Sequence, residues 1–366
     1  MSILKDRSYL EMAYGLAQKA KGWASPNPYV GAVIVKNETI IGFGFHEGPG
    51  QPHAEINALQ KAGASVLSST VYLTLEPCTH WGRTPPCIDS LLQARPKRVV
   101  VSDFDPNPLV FQRGVRAMKD AGIQVSVGLL KEKNRTLNET YIKYITKRMP
   151  FVTLKAAISL DGKVATKQHS SRWVSSPGTR EYTQLLRGEY DAIMIGIKTL
   201  ITDNPKLTVR HPNWKGKRLT RVILDSGLRF PLKSRILGTQ ARGKIIVFTT
   251  KLPSTRKAIL LKNRGVEVVS LPGSGNRVDL RRTLLWLGRH EISSVLVEGG
   301  GVLHTSFLEK GLADKVFLAI SPKLFGGERA PAFFQGKGFH PVKNALGLTR
   351  ICTFMVEDDI ILEGYI

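Results

Sequence analysis

Apolar residues recur at helical spacing through residues 8–21, where Leu10, Met12, Ala13, Leu16 and Ala17 predict an amphipathic helix. The pattern then shortens. Residues 29–35 and 39–45 read as strands, parted by the turn-like Lys36-Asn37-Glu38. Residues 53–62 predict a helix stopped at Gly63, 71–75 a strand and 86–94 a short helix. Residues 98–102 and 123–127 are expected strands, with a helix over 115–121 between them that ends at Gly122. This alternation predicts an α/β sandwich around a mostly parallel sheet.

Residues 131–147 predict one polar helix leading into Arg148-Met149-Pro150, and the domain boundary is placed there, giving domains 1–147 and 148–366. A second α/β series follows, with strands expected at 151–158, 192–195, 221–224, 244–248, 266–269 and 294–297. Residues 317–320, 351–356 and 360–365 also read as β, and Cys352 within them is expected to be buried packing. No G-x-G-x-x-G turn is present, so a Rossmann fold is not supported.

Composition narrows the function classes. A chain of 366 residues is long for a single core. It has no apolar run long enough to span a membrane, and residues 1–21 lack the features of a signal peptide. Three cysteines make no disulfide framework, so a cytoplasmic location is expected and closely placed cysteines point to metal or catalysis. The balance of 53 Lys and Arg against 29 acidic residues, a net charge of +24, suits either nucleic acid or phosphorylated small molecules. The basic residues are dispersed rather than in a tract, and nucleic acid is not expected as a partner.

The strongest chemical signal is His53-Ala54-Glu55, followed by Glu76-Pro77-Cys78 and Pro85-Pro86-Cys87. One imidazole and two thiolates leave the fourth position of a tetrahedral Zn²⁺ open, as a catalytic site requires. Glu55, two residues from His53, suits the proton carrier that zinc deaminases need. Both cysteines follow proline and are expected at helix starts, where the dipole favours thiolate. Eight residues separate Cys78 from Cys87, unlike the P-C-x-x-C of nucleic-acid deaminases. Within that insert His80 and Arg83 are candidates for a substrate oxygen or phosphate, and His80 is also a rival fourth zinc ligand. Ser25-Pro26-Asn27-Pro28 predicts a stiff loop that presents the Asn27 amide.

Together, S-P-N-P-x-V-G, H-A-E, E-P-C-T-H-W-G-R-T-P-P-C and D-P-N-P resemble the deaminase half of the bifunctional riboflavin biosynthesis family, diaminohydroxyphosphoribosylaminopyrimidine deaminase / 5-amino-6-(5-phosphoribosylamino)uracil reductase. The resemblance implies a cytidine-deaminase-like α/β/α sandwich, zinc on His53, Cys78 and Cys87, Glu55 as proton shuttle, and Asn27, His80 and Arg83 near substrate. One departure stands out. The family continues D-P-N-P with a V-x-G-x-G loop, whereas here Gln112 replaces the first glycine of Val110–Gly114. If that position takes a positive φ, glutamine is strained there.

In the second half an apolar strand carries one charge, Lys155, before Asp161-Gly162. A buried lysine needs a polar or anionic partner. Later, Glu298-Gly299-Gly300-Gly301 forms a strand-to-helix turn suited to phosphate. With S-x-W and D-N-P-x-L-T-x-R, these segments are similar to the reductase half of the same family, which implies a dihydrofolate-reductase-like α/β domain that reduces ribose with NADPH. The resemblance implies substrate contacts at Ser171, Arg187, Leu207, Arg210 and Glu298. It implies NADPH contacts at Ala157, Trp173, Thr199, Asp203, Ser226 and along the turn Gly300, Gly301, Val302, Leu303, His304, Thr305 and Ser306. Lys155 is the candidate for polarising or orienting substrate, and the arginines suit a 5'-phosphate. The expected partners are phosphorylated pyrimidines, and the family is often homo-oligomeric. The rival reading is a tRNA-editing deaminase with an accessory domain; the long cysteine spacing and the second half oppose it.

Overall fold

The computed structural model describes residues 3–274, 277–336 and 338–366. Its chain divides into two compact units, Met1–Met149 and Pro150–Ile366.

The first unit contains α1 (Ile3–Gln18), β1 (Gly31–Lys36), β2 (Thr39–Phe45), α2 (Ala54–Ala62), β3 (Thr70–Leu73), α3 (Cys87–Ala94), β4 (Arg98–Val101), α4 (Arg113–Asp120), β5 (Gln124–Val127), α5 (Lys131–Leu137) and α6 (Glu139–Lys147). The sheet order is β2-β1-β3-β4-β5. It is mixed rather than mostly parallel. β1 runs antiparallel to both β2 and β3, while β3, β4 and β5 are parallel. The hairpin arises because Asn37 and Glu38, both at positive φ (48° and 64°), close the two-residue turn between Lys36 and Thr39.

Alternation along β1 sends Ala32 and Ile34 to one face and Val33 and Val35 to the other. The first pair packs with Leu91 and Met118 of α3 and α4, the second with Leu10 and Ala13 of α1. Glycines seat α2. A Cβ at Gly44 would lie 2.6 Å from the Ala54 carbonyl oxygen, and one at Gly42 2.3 Å from that of Ala58. The helix bearing Glu55 therefore lies against β2.

The expected single helix over 131–147 is broken at Asn138. That buried side chain accepts from the Tyr29 N–H (2.7 Å) and donates to the Tyr29 carbonyl (3.1 Å), turning inward at the cost of helical continuity. Gln112 does take a positive φ, 62°, as N-cap of α4. The Glu76 carboxylate anchors it, accepting from the N–H groups of Gln112 (3.0 Å), Val115 (3.0 Å) and Asp105 (3.3 Å).

The second unit contains β6 (Phe151–Ser159), α7 (Pro177–Gly188), β7 (Ala192–Gly196), α8 (Ile197–Asp203), β8 (Thr220–Leu224), β9 (Ile245–Thr249), α9 (Arg256–Lys262), β10 (Val266–Ser270), β11 (Gly273–Ser274), β12 (Arg277–Val278), α10 (Leu280–Arg289), β13 (Ser294–Val297), α11 (Gly301–Glu309), β14 (Lys315–Ser321), β15 (Thr349–Val356) and β16 (Asp359–Tyr365). Nine strands form one sheet in the order β10-β9-β8-β7-β13-β6-β14-β16-β15. It is parallel from β10 to β14, and β16 and β15 are antiparallel. Lys155 on β6 thus sits between β13 and β14, near the middle. Cys352 is exposed, not buried, because β15 is an edge strand with little packed on it. Among the described residues no helix is long and apolar enough to cross a membrane.

Candidate active sites

In the first unit, His53 is the residue before α2, and Cys87 opens α3. Cys78 was expected at a helix start but lies in the irregular segment between β3 and α3. The helix still reaches it, because the Cys87 N–H donates to the Cys78 sulfur at 3.3 Å. His53 Nδ1 lies 3.1 Å from the Cys87 sulfur and 3.6 Å from that of Cys78. Zinc bonds of usual length and tetrahedral angle put nitrogen and sulfur ligands about 3.6 Å apart. The three donor atoms lie within 4.8 Å of one another, and His80 is not part of the group. The donor set fits zinc with an open position.

The Cys78 thiol is pushed down to about 4 by the hydrogen bond from the Cys87 side chain, with His53 and the Cys87 N–H adding to it. Cys87, donating to Cys78 and buried beside Glu55, is pushed up. Glu55 is itself buried, and burial raises its carboxyl above the ordinary range. A carboxyl so placed keeps its proton more readily than a solvated one, which suits a group that must both take up and give back a proton.

Two residues were missed by sequence reasoning. Thr84, inside the inter-cysteine insert, places its hydroxyl 3.3 Å from His53 Nε2 and so orients the ring. His46, just after β2, is buried with its ring edge-on to His53. Its Nδ1 donates to the Pro52 carbonyl (3.2 Å), which leaves Nε2 to accept from the Asn27 amide at 2.9 Å. The Asn27 nitrogen is thereby committed, leaving its carbonyl oxygen for substrate. Thr84 sits within the E-P-C-T-H-W-G-R-T-P-P-C segment, which could have drawn notice to it, whereas His46 belongs to no such spacing and only the fold brings it in. Arg83 is exposed, and His80 is half-buried with Nδ1 lacking a hydrogen-bond partner.

Replacing Cys87 by Ser is expected to remove most bound zinc, since a neutral hydroxyl replaces a thiolate in a three-ligand set. Metal analysis of the purified variant checks this; full occupancy would take Cys87 out of the ligand set.

In the second unit a cavity of about 590 Å³ collects Lys155, Ala157, Ser171, Trp173, Arg187, Asp203, Arg210 and Glu298, all named from the sequence. It adds Arg180, Thr183, Gln184 and His211. Arg180 stacks over Trp173 at 4.6 Å, and Gln184 Oε1 accepts the Arg210 N–H at 3.1 Å. Arg187 does not offer a free fork to phosphate. Its Nε and Nη2 donate to the two Glu298 oxygens at 2.7 and 2.6 Å. Burial opposes charge on Glu298, but Arg187 outweighs it and keeps the carboxyl below its usual value. Burial lowers Lys155, and Glu298 opposes that shift.

The remaining expected contacts fall outside this cavity. Leu207 is buried at φ 51°, so only its backbone is available. Thr199 lies on α8. The Ser226 hydroxyl accepts the Val278 N–H at 3.0 Å. Along α11 the side chains of His304 and Thr305 serve the fold, while Val302 is exposed. His304 is fully buried against Phe333, its Nε2 3.3 Å from the Val297 carbonyl, and burial pushes it down to about 4, hence neutral. Thr305 Oγ1 accepts from the Gln335 N–H, and Ser306 Oγ donates to the Val302 carbonyl. His304 therefore cannot reach a cofactor as the structure stands. Gly301 is required by packing, since a Cβ would meet the Ala332 oxygen at 2.1 Å, whereas space is open at Gly300. The N-terminal N–H groups of α11 and the exposed Trp173 suit a dinucleotide there.

Family models match both halves: the cytidine and deoxycytidylate deaminase zinc-binding region over residues 4–103, and the RibD C-terminal domain over residues 150–357. The chain is 45% identical to riboflavin biosynthesis protein RibD of Aquifex aeolicus over 88% of each chain. It is 39% identical to that of Actinobacillus pleuropneumoniae, over 98% of this chain and 95% of the relative. Among solved structures, Acinetobacter baumannii RibD aligns with a TM-score of 0.88 at 33% identity, covering 100% of this chain and 99% of the other. A diaminohydroxyphosphoribosylaminopyrimidine deaminase/5-amino-6-(5-phosphoribosylamino)uracil reductase from Thermotoga maritima aligns with a TM-score of 0.86 at 34% identity, covering 98% of each.

Proposed function

The chain belongs to the RibD family of bifunctional deaminase/reductases in riboflavin biosynthesis, and from that membership we propose how its own residues divide the two reactions. Residues 1–147 deaminate 2,5-diamino-6-(5-phosphoribosylamino)pyrimidin-4-one. Residues 148–366 reduce the ribose of the resulting 5-amino-6-(5-phosphoribosylamino)uracil to the ribityl chain. The observation that carries the first assignment is the His53–Cys78–Cys87 donor set with buried Glu55 beside it.

His53, Cys78 and Cys87 hold zinc, which when bound supplies the Lewis acidity that lets water act as nucleophile near neutral pH. Glu55 takes a proton from the attacking water and returns it to the ring nitrogen; a second transfer accompanies loss of ammonia. His46 holds the Asn27 amide, whose oxygen positions the heterocycle, and His80 and Arg83 border the entrance. A tRNA substrate is not favoured.

NADPH, when bound, supplies the hydride. Lys155 orients the ribose oxygen at the reacting carbon, and Glu298, charge-balanced by Arg187, sets the local field around it. Ser171, Arg210 and the Leu207 backbone bind substrate, and the Arg210 side chain suits its phosphate. Ala157, Trp173, Thr199, Asp203, Ser226 and the 300–306 turn contact the cofactor, with His304 as internal support. A reducing, cytoplasmic location fits three free cysteines. Self-association is supported by the exposed apolar side chains of the β15 edge, Ile351 and Met355.

A coupled assay tests this reading. The phosphoribosylated diaminopyrimidine is supplied with NADPH, and ammonia release and NADPH oxidation are followed together. Both are expected, oxidation only after deamination. Ammonia without oxidation would overturn the reductase half; neither signal from zinc-loaded protein would overturn both.

A further inference from the structure

A second cavity of about 550 Å³ opens in the reductase unit beside the first. Lys206, Arg210, Lys215 and Arg242 line it, with Trp214 and Thr239, and no acidic residue does. None of these four cations takes part in an ion pair among the described residues. A concave surface of one sign focuses potential and favours an anion.

A buried charge lies under the same wall. Arg221, on β8, is fully buried. Its Nη2 donates to the carbonyls of Thr239 (3.0 Å) and Gly243 (2.7 Å), and its Nε to that of Lys244 (3.2 Å). Nη1 has no hydrogen-bond partner, and no carboxylate offsets the guanidinium among the described residues. A buried cation without a counter-ion is costly. Thr239, whose carbonyl Arg221 holds, is itself part of the cavity wall. An anion in the cavity would lower the energy of all five cations together.

The walls are fixed. Trp214 is wedged against α7, where a Cβ at Gly188 would come within 2.1 Å of its ring. Arg221 ties the 239–244 segment to β8. The volume lies in the range of nucleotide-sized ligands. Lys206, Lys215 and Arg242 have no place in the proposed reductase chemistry, and Arg210 lines both cavities.

We propose that the cavity between residues 206–215 and 238–242 is a second anion site, which takes a phosphate- or diphosphate-bearing small molecule of up to nucleotide size. The site does not rest on the deaminase or reductase assignment. It shares Arg210, His211 and Pro212 with the reductase cavity, so a ligand here draws on a guanidinium that the proposed phosphorylated substrate also uses.

The test is calorimetric titration of full-length, zinc-loaded protein with inorganic pyrophosphate. Three forms are compared: wild type, Lys215→Ala/Arg242→Ala, and Arg281→Ala/Arg282→Ala. The last removes the same charge from exposed positions on α10 that do not line the cavity. An unaltered unfolding transition of the reductase unit, to which all four positions belong, verifies that each variant is folded. The expected result is a binding class weakened about tenfold or more in the Lys215/Arg242 variant and within about twofold of wild type in the control, as loss of two charge-assisted contacts predicts. Equal weakening in both variants would mean general charge attraction and overturn the site, as would no pyrophosphate binding or an unaltered isotherm.

Discussion

Glu55→Gln is expected to lower deamination turnover by about 10²–10⁴-fold while leaving zinc content and unfolding behaviour as in wild type. The substitution keeps the shape of the side chain and one acceptor oxygen, replaces the other with an NH2 donor, and removes the ability to carry a proton. Glu55 is buried in the first turn of α2 beside the Cys87 thiol, and burial raises its carboxyl. In the proposed reaction it carries the proton between water and the ring, a task that bulk water cannot readily take over at a buried position. The loss corresponds to about 3–5 kcal/mol of transition-state stabilisation. Zinc analysis beside steady-state ammonia release separates the outcomes. Zinc retained with turnover within tenfold of wild type would remove Glu55 as the proton carrier. Zinc lost would mean that Glu55 chiefly supports the ligands. NADPH oxidation with independently supplied deaminated intermediate should be unchanged, because Glu55 belongs to the other unit.

Arg187→Met carries the second large effect. The fork of Arg187 holds both Glu298 oxygens, and the two side chains are only 14% and 12% exposed. Removing one partner of a buried pair leaves an uncompensated charge and typically costs about 3–5 kcal/mol. Lys155, which also acts on Glu298, should hold the cost near the lower end. The expected result is an earlier unfolding transition for the reductase unit and loss of NADPH oxidation, with deamination intact. The double variant Arg187→Met/Glu298→Leu should regain most of the stability but none of the reductase activity. Additive losses in the double variant would show that the two residues do not act as a unit. Each unit's transition must be followed separately, since a two-domain chain need not unfold in one step.

Features set by short-range patterns and features set by distant partners divide cleanly in this chain. The zinc donors were legible because H-A-E and the two P-C pairs are short local patterns whose chemistry admits few other uses. Periodicity revealed most strands, since a two-residue repeat is a local property. Gln112 in place of a motif glycine marked where a positive φ would bring strain, and the fold supplied that φ, 62°. What the chain alone did not reveal depends on partners far along it. Asn138 breaks the expected 131–147 helix because Tyr29, more than one hundred residues earlier, offers backbone groups to bind. The sheet of the first unit is mixed because β1 pairs antiparallel with the distant β3 as well as with β2, and strand order is a long-range property. Cys352 is exposed because β15 falls at an edge, and edge or centre is decided only by strand order. Arg187, expected as a phosphate clamp, is instead bound to Glu298 across 111 residues. His304, in a turn expected to touch cofactor, faces the core because its helix packs that way. The amino-acid sequence by itself determined which chemistry the chain can carry, since ligand and proton-carrier identities are properties of side chains at short spacing. Only the tertiary structure decided which charges meet and which stay free, because desolvation and pairing act between residues that the fold, not the chain order, makes neighbours.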